Sequence, residues 1–154
     1  MSGAEQIGHG KTVFANRAEL DAFNEDVVAQ LRRTGGVVEE GPYAGADRFL
    51  VLHSVGAKSG EPRQTPLFYL DVEGRWYLIG SFWGNQKHPA WVYNLLAHPN
   101  VRIEVKGQTL EAVARELEAE EREEIWARLV ETAPNFAEYQ AKTDRRIRLF
   151  ELVR

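Results

Sequence analysis

Two stretches of the chain gather side chains that could do chemistry. In Gly56-Ala57-Lys58-Ser59-Gly60-Glu61-Pro62-Arg63, two glycines permit positive φ and let backbone N–H groups converge, and Lys58 and Arg63 add positive charge to that concavity. Such a loop can hold a phosphate or a carboxylate. It is not a P-loop, because Lys58-Ser59 lacks the preceding glycine and the Walker spacing. On residue types alone a solvated hairpin loop is favoured over an anion site. The second stretch, Ser81-Phe82-Trp83-Gly84-Asn85-Gln86-Lys87-His88-Pro89-Ala90-Trp91, runs from a strand end into a helix start. Large rings in a turn with Gly and Asn suit the walls of a pocket for a flat ligand, with polar groups setting its orientation. They equally suit a cover over the core with Trp91 buried beneath it, and the two readings balance.

Other chemistries are excluded or unsupported. The chain has no cysteine, which removes disulfides, thiolate metal sites, iron–sulfur clusters and thiol nucleophiles. The histidines, His9, His53, His88 and His98, show no i, i+4 pairing and no carboxylate at ligand spacing, so no metal site is expected. No Ser/His/Asp order reads as a triad, and Ser81 has no sequence-local base. A mechanism in which a bound cofactor carries the chemistry, such as hydride transfer, is therefore preferred. The net charge of −4 argues against a broad nucleic-acid-binding face. Between Glu111 and Glu131, eight Glu stand against three Arg, a local net of −5 that reads as the solvated face of a helix.

The elements that must position these residues fit one domain. At 154 residues the chain should bury about 70% of its unfolded surface. Its apolar stretches, such as Phe49-Leu50-Val51-Leu52, are far shorter than the roughly 20 residues of a membrane span. The N-terminus lacks the apolar region of a secretory signal, so a cytoplasmic location is expected. Residues 1–17 are expected to be a flexible or partly disordered arm, with one domain over 18–154. Leu20, Phe23, Val27 and Leu31 fall at helical spacing, and Thr34-Gly35-Gly36 ends that helix. Strands are expected over 48–55, 65–72 and 76–81, the last two joined at Glu73-Gly74. A helix over 89–97 precedes a hairpin of 101–105 and 109–117 turning at Lys106-Gly107. A helix over 119–132, a short helical turn with Phe136 and Tyr139, and a last strand over 147–153 complete the reading. Hairpins with few intervening helices favour a mainly β, α+β fold whose antiparallel sheet closes or nearly closes.

Taken together, these motifs resemble the deazaflavin-dependent nitroreductase family, the F420H2-dependent quinone reductase type of flavin/deazaflavin oxidoreductase. The resemblance runs from about Asn24 to the C-terminus. It rests on Thr34-Gly35-Gly36, Gly41-Pro42-Tyr43-Ala44-Gly45, the Gly56–Arg63 loop with Thr65-Pro66-Leu67, and Lys87-His88-Pro89-Ala90-Trp91 with Asn94. His98-Pro99-Asn100-Val101 and Tyr139 with Thr143-Asp144-Arg145 complete it. The resemblance implies a Greek-key-like split β-barrel of the FMN-binding type, and coenzyme F420 held in a groove on the barrel.

Carried over by position, Ala57, Lys58, Ser59 and Arg63 would meet the cofactor's phosphate and oligoglutamate tail. Gln64, Thr65, Pro66, Leu67, Phe68 and Tyr69 would run along the ring system, with Ile79, Gly80, Ser81 and Phe82 beneath it. Ala90, Trp91, Val92, Tyr93 and Asn94 would close the other side, and Phe136 would join them. Tyr139 and Ser81 are the implied catalytic hydroxyls. The chain departs from the family at Phe82-Trp83, where relatives often place a small or basic residue after the strand serine. It also has Ala133 and Phe136 where some relatives have hydroxyls. The implied activity is hydride transfer from reduced F420 to a quinone, nitroaromatic or activated enone. FMN is the alternative cofactor, since it too carries a phosphate, and a non-catalytic binding module is the alternative outside enzymes. No nucleic-acid partner and no stable membrane anchor are expected. Peripheral contact with the inner face of the membrane and the oligomeric state stay open.

Overall fold

In the computed structural model, which describes residues 7–9 and 12–154, strands and helices follow the hydrophobic periods of the chain. Of the stretch expected to be an arm, residues 1–6, 10 and 11 lie outside the described residues; β1 (Ile7–His9) pairs antiparallel with β2 (Thr12–Phe14) as a small ribbon. The helix α1 (Arg17–Thr34) opens on Asn16, whose side chain accepts from the Glu19 N–H at 3.0 Å, and stops at Gly35 in the left-handed conformation. Gly36 has a positive φ of 127° and lies so close to the Lys106 backbone that an added Cβ would stand 3.3 Å from its Cα. A side chain there would push α1 off the sheet.

Six further strands close into an antiparallel barrel: β3 (Phe49–Val55), β4 (Pro62–Val72), β5 (Arg75–Ile79), β6 (Asn100–Val105), β7 (Gln108–Glu116) and β8 (Leu149–Val153). Round the barrel their order is β3-β4-β5-β8-β7-β6. Leu50, Leu52, Tyr69, Leu78, Ile103, Phe150 and Leu152 point inward. The helix α2 (Ala90–Ala97) adds Trp91, Val92 and Leu95 to that core. On the opposite face of β3, Val51 packs under Val27, Val28 and Leu31 of α1. This two-sided burial explains why β3 reads as an unbroken apolar run. The helices α3 (Ala119–Thr132) and α4 (Asn135–Ala141) cover the outer face of β4 and β5, where Leu129, Phe136 and Tyr139 meet Phe68, Leu70 and Tyr77. The expected antiparallel closed sheet is thus what the chain forms.

Several boundaries shift from the sequence reading, β5 ending at Ile79 rather than 81 among them, and two of the shifts have a clear local reason. β4 begins at Pro62 rather than Thr65, because Gly56 N–H donates to the Glu61 carbonyl at 2.8 Å and closes the loop early. Arg63 and Gln64 therefore pair with Ser54 and His53. β8 begins at Leu149 rather than 147. Buried Ile147 spends its backbone on side chains instead: its N–H donates to Gln140 Oε1 at 3.0 Å and its carbonyl accepts from Arg122 Nε at 3.0 Å. Arg122, expected on the solvated face of α3, is buried, with its guanidinium 4.4 Å from the centre of the Trp126 ring. Among the described residues no helix is long and apolar enough to cross a membrane.

Two carboxylates lock the outside of the barrel. Glu104 on β6 takes both Arg32 donors, at 3.0 and 2.7 Å, and thereby ties α1 to the barrel; His53 Nε2 contacts the same carboxylate. Glu151 on β8 is buried and is held by Arg75 at 2.8 and 3.0 Å and by Arg115 at 2.8 Å. Hydrogen bonds from Arg32 hold the Glu104 carboxyl down to about 2, and Arg75, with Arg115, does the same for Glu151. Both folded-state values lie below the unfolded one, so the stabilisation is present above about pH 4.3 and is lost as pH falls towards about 2. The arginines are partly exposed, which limits the effect to about 1 kcal/mol or less per carboxylate. Glu151→Gln should lower stability at neutral pH and flatten the acid limb, read as urea midpoints between pH 7 and pH 2.5. An acid limb as steep as the wild type's would contradict this role.

Candidate functional site

A cleft of about 940 Å³ opens between α1, the first half of β4, the 81–89 turn, the start of α2, and α4. Its walls are aromatic: Phe23 from α1, Tyr43 from the following loop, Phe49, Phe68, Phe82, Trp83, Trp91, Phe136 and Tyr139. The rings contact one another in series, Tyr43–Phe49 at 5.3 Å, Phe49–Phe68 at 6.4 Å, Phe68–Phe136 at 5.4 Å and Phe136–Tyr139 at 5.6 Å between centroids. The first three pairs share the outer face of the barrel because Phe49 and Phe68 are partners in the β3–β4 register. Walls of this kind fit a flat conjugated ligand, and the volume lies within the range of cofactor pockets.

The 81–89 turn is held by one half-buried cation. Arg145 donates to the carbonyls of Gly80 at 3.0 Å, Ser81 at 2.8 Å and Asn85 at 2.9 Å, and its Nη1 approaches His88 Nδ1 at 3.3 Å. The last contact requires His88 to be neutral with Nδ1 unprotonated. Burial, then the nearby Arg145 and Arg148, lower the His88 pKa accordingly. Lys142 Nζ donates to the Trp83 carbonyl at 3.1 Å, and Gln86 Nε2 donates to the Lys142 carbonyl at 2.9 Å. Within this cage Phe82 and Trp83 adopt φ of 44° and 52°, a region non-glycine residues avoid, followed by Gly84 at 78°. Each such residue costs about 1–3 kcal/mol and persists only where its surroundings enforce it.

At the other mouth lies the glycine loop. Ser59 Oγ accepts from the Glu61 N–H at 3.1 Å and from Arg63 Nη2 at 3.3 Å, which folds the Arg63 guanidinium back over the loop. Lys58 makes no ion pair among the described residues. Ala57 N–H donates to Asn94 Oδ1 at 2.9 Å across the gap to α2. That bond orients the amide of Asn94, which is buried at the cleft wall and whose Nδ2 has no protein partner among the described residues.

Of the residues singled out in the sequence, Arg63, Gln64, Thr65, Pro66, Leu67, Phe68, Ile79, Ser81, Phe82, Ala90, Trp91, Asn94, Phe136 and Tyr139 meet at this cleft. Ala57, Lys58 and Ser59 stand on the adjoining loop. Tyr69 and Val92 belong to the barrel core. Gly80 lies behind the wall, where an added Cβ would come within 2.9 Å of Val92, so its bareness lets α2 seat. Tyr93 is half exposed on α2 and packs edge-on against His88 at 5.9 Å. Trp91 both fills the core and lines the cleft, so the two sequence readings of it coexist. Sequence reasoning missed the α1 wall, including Leu20, Phe23, Asn24 and Val27, together with Tyr43 and Phe49. Their helical and turn spacing reads as core, and only the packing of α1 along β3 turns them to the cleft. No histidine, aspartate or glutamate cluster among the described residues could hold a metal ion.

Comparison with known proteins agrees with this geometry. A family model described as F420H(2)-dependent quinone reductase matches residues 24–153. An F420H(2)-dependent quinone reductase of Mycobacterium tuberculosis is 31% identical over 113 residues, covering 71% of this chain and 76% of the relative. A solved F420-H2 dependent reductase is 40% identical, covers 68% of this chain and 93% of its own, and superposes with a TM-score of 0.62. A further structure, described as a domain-swapped dimer, is 35% identical over 86% of this chain and 98% of its own, with a TM-score of 0.64.

The turn that carries the aromatic wall makes a specific demand at Gly84. An added Cβ there would stand 2.5 Å from the Tyr139 carbonyl and 3.0 Å from Lys142 Cβ, besides suffering a φ of 78°. Gly74, with φ of 87° and nothing within 4 Å, suffers the backbone penalty alone. Gly84→Ala should therefore destabilise by about 2–4 kcal/mol and Gly74→Ala by about 1 kcal/mol, read from urea melts. Equal losses would mean that the turn does not press on α4.

Proposed function

This chain belongs to the F420H(2)-dependent quinone reductase family, and we propose that its aromatic cleft holds reduced coenzyme F420 and a flat, electron-poor acceptor side by side. The protein is an F420H2-dependent reductase. The observation that carries the placement is the pairing in one cavity of aromatic walls with a basic glycine loop at one mouth. The donor set suits the cofactor: cations for phosphate and carboxylates, backbone and amide groups for the polar ring edge, and flat side chains for its faces.

Lys58, Ser59 and Arg63 hold the phosphate and acidic tail in this reading. Thr65 to Phe68 and Ile79 to Phe82 border the ring system, and Ala90, Trp91 and the Asn94 amide close its other side. When bound, reduced F420 supplies a hydride from carbon 5. The chain's own residues orient the partners, exclude water and stabilise the charge that arrives on the acceptor oxygen. Tyr139, at the α4 wall of the cleft, is the candidate hydroxyl donor to that oxygen, with Ser81 beside the ring. Ala133 and Phe136 offer no hydroxyl. Quinones are the acceptor class of the named relatives, and nitroaromatics and activated enones share the same flat, electron-poor character.

Fluorescence titration with F420 and FMN side by side tests the cofactor. F420 should bind the more tightly, since only it brings carboxylates to the basic loop. Lys58→Ala with Arg63→Ala should weaken F420 binding, each contact contributing about 1.5 kcal/mol because both side chains are partly exposed. The loss should be larger at low salt; an unmoved affinity would put the phosphate elsewhere. Tyr139→Phe keeps the ring and removes the donor. It should lower kcat/KM by about 10²–10³ with little change in F420 binding. Wild-type turnover with several acceptors would remove Tyr139 from the mechanism.

A further inference from the structure

Arg145 spends four of its five N–H donors on the turn after β5, and the four acceptors are not alike. Three are the backbone carbonyls of Gly80, Ser81 and Asn85, which do not titrate. The fourth is His88 Nδ1, 3.3 Å from Nη1. Nη1 is itself shared, one hydrogen going to Gly80 just after β5 and the other to His88 just ahead of α2. One nitrogen therefore bridges the two ends of the turn. Between those ends lie Phe82 and Trp83 in their left-handed backbone conformations, and Ser81, Pro89 and Ala90 flank them on the cleft wall.

The His88 ring faces two cations and one other ring. Arg145 touches Nδ1, and Arg148, paired with Glu116 of β7 at 3.0 Å, adds its charge from the same segment. Tyr93 of α2 meets the ring edge-on at 5.9 Å, and Lys87 beside it in the chain is exposed. No carboxylate pairs with His88 among the described residues. Burial first, and then the two arginines, favour the neutral ring. A proton on Nδ1 would remove the acceptor and set a second cation against Arg145. In an open turn the ring titrates near its ordinary value of about 6.5, while the clamped turn holds it lower. As pH falls through that window the open turn takes up the proton first, so the clamp is lost on the acid side and kept above it.

We propose that His88 is a positioning residue for the cleft: neutral, it completes the clamp that holds the 81–89 turn, and protonated, it frees the turn and weakens ligand binding at that wall. Under the proposed function the ligand is F420, and the effect on binding rests on that reading; the motion of the turn does not. Release spreads along the turn for a geometric reason. Phe82 and Trp83 keep positive φ only while Arg145 grips the Ser81 and Asn85 carbonyls and Lys142 grips that of Trp83. A planar guanidinium pushed away from His88 cannot keep the same carbonyls in a new orientation. A carbonyl in place of the imidazole would give the same clamp with no response to pH.

The test uses the full-length protein in two ways between pH 8 and pH 5.5, a window well above the titration of Glu104 and Glu151. Without ligand, proton–nitrogen NMR follows the His88 ring and the indole N–H of Trp83, assigned through Trp83→Phe. The His88 midpoint should lie below about 6.5, with the Nε2–H tautomer above it, and the Trp83 signal should move with the same midpoint. F420 is then titrated at both ends of the window in the wild type and in His88→Asn, whose Oδ1 offers an acceptor that does not titrate. The loss of affinity towards pH 5.5 should be at least about threefold greater in the wild type. His9, His53, His98 and the ligand's own groups titrate in both proteins and cancel in that ratio. A Trp83 signal that ignores the His88 midpoint, a His88 midpoint at or above about 6.5, or equal acid losses in the two proteins overturns the inference. The NMR measurement needs only the wild type, so it stays decisive if the variant does not fold. A wild type that binds no F420 while Trp83 follows His88 upholds the clamp and refutes the cofactor reading instead.

Discussion

One half-buried guanidinium organises the turn that forms a wall of the cleft. Arg145 comes from the segment between α4 and β8 and gathers the carbonyls of Gly80, Ser81 and Asn85 around itself. Gly80 and Ser81 follow the end of β5, Asn85 follows the turn, and the Ser81 carbonyl also accepts from the Gly84 N–H at 2.9 Å. The cation joins the two ends of a turn that keeps two non-glycine residues at positive φ. With it, Phe82 and Trp83 are presented as a wall, and the strain is offset by charge-assisted hydrogen bonds. The neutral state of His88 belongs to the same arrangement, since a second cation at Nδ1 would oppose Arg145.

The barrel supplies the rigidity this turn lacks. Its interior core anchors α2 through Trp91, Val92 and Leu95, so the start of that helix is fixed relative to β4. Two outer cores seat α1 on β3 and α4 on β4. The cleft is the gap those two helices leave over the β3–β4 hairpin, and its lining mixes aromatic rings with aliphatic side chains of α1 and the barrel. Rings on the outer face serve as packing partners for the helices and also line the cleft. The Arg32–Glu104 pair fixes α1 at the mouth near the glycine loop, which keeps the basic end and the aromatic walls in register.

Much of this was legible in the chain. Alternating apolar residues and the Glu73-Gly74 and Lys106-Gly107 turns mark the hairpins, and Thr34-Gly35-Gly36 marks the end of α1. The glycine loop, the Ser81–Trp91 stretch and Tyr139 were recognisable by type, and they converge or adjoin in space. The α1 wall was not legible, because Phe23 and Val27 obey the same spacing whether they face a core or a cleft. Nor was the role of Arg145, since a half-buried arginine among carbonyls differs from a solvated one only through contacts more than 50 residues away in sequence. Tyr69 and Val92 were carried into the cofactor set with their neighbours. The strand and helix periods turn them to the barrel core instead.

In this chain aromatic walls and an adjoining basic loop meet at a single cleft. The most direct measurement is an anaerobic single-turnover reaction of the protein with reduced F420, followed through the absorbance of the oxidised cofactor on mixing with menadione. Oxidation that is fast with the quinone and absent without it is the expected result. Tight binding of reduced F420 with no acceptor-dependent oxidation, across quinones, nitroaromatics and enones, would contradict it and leave a protein that only binds the cofactor.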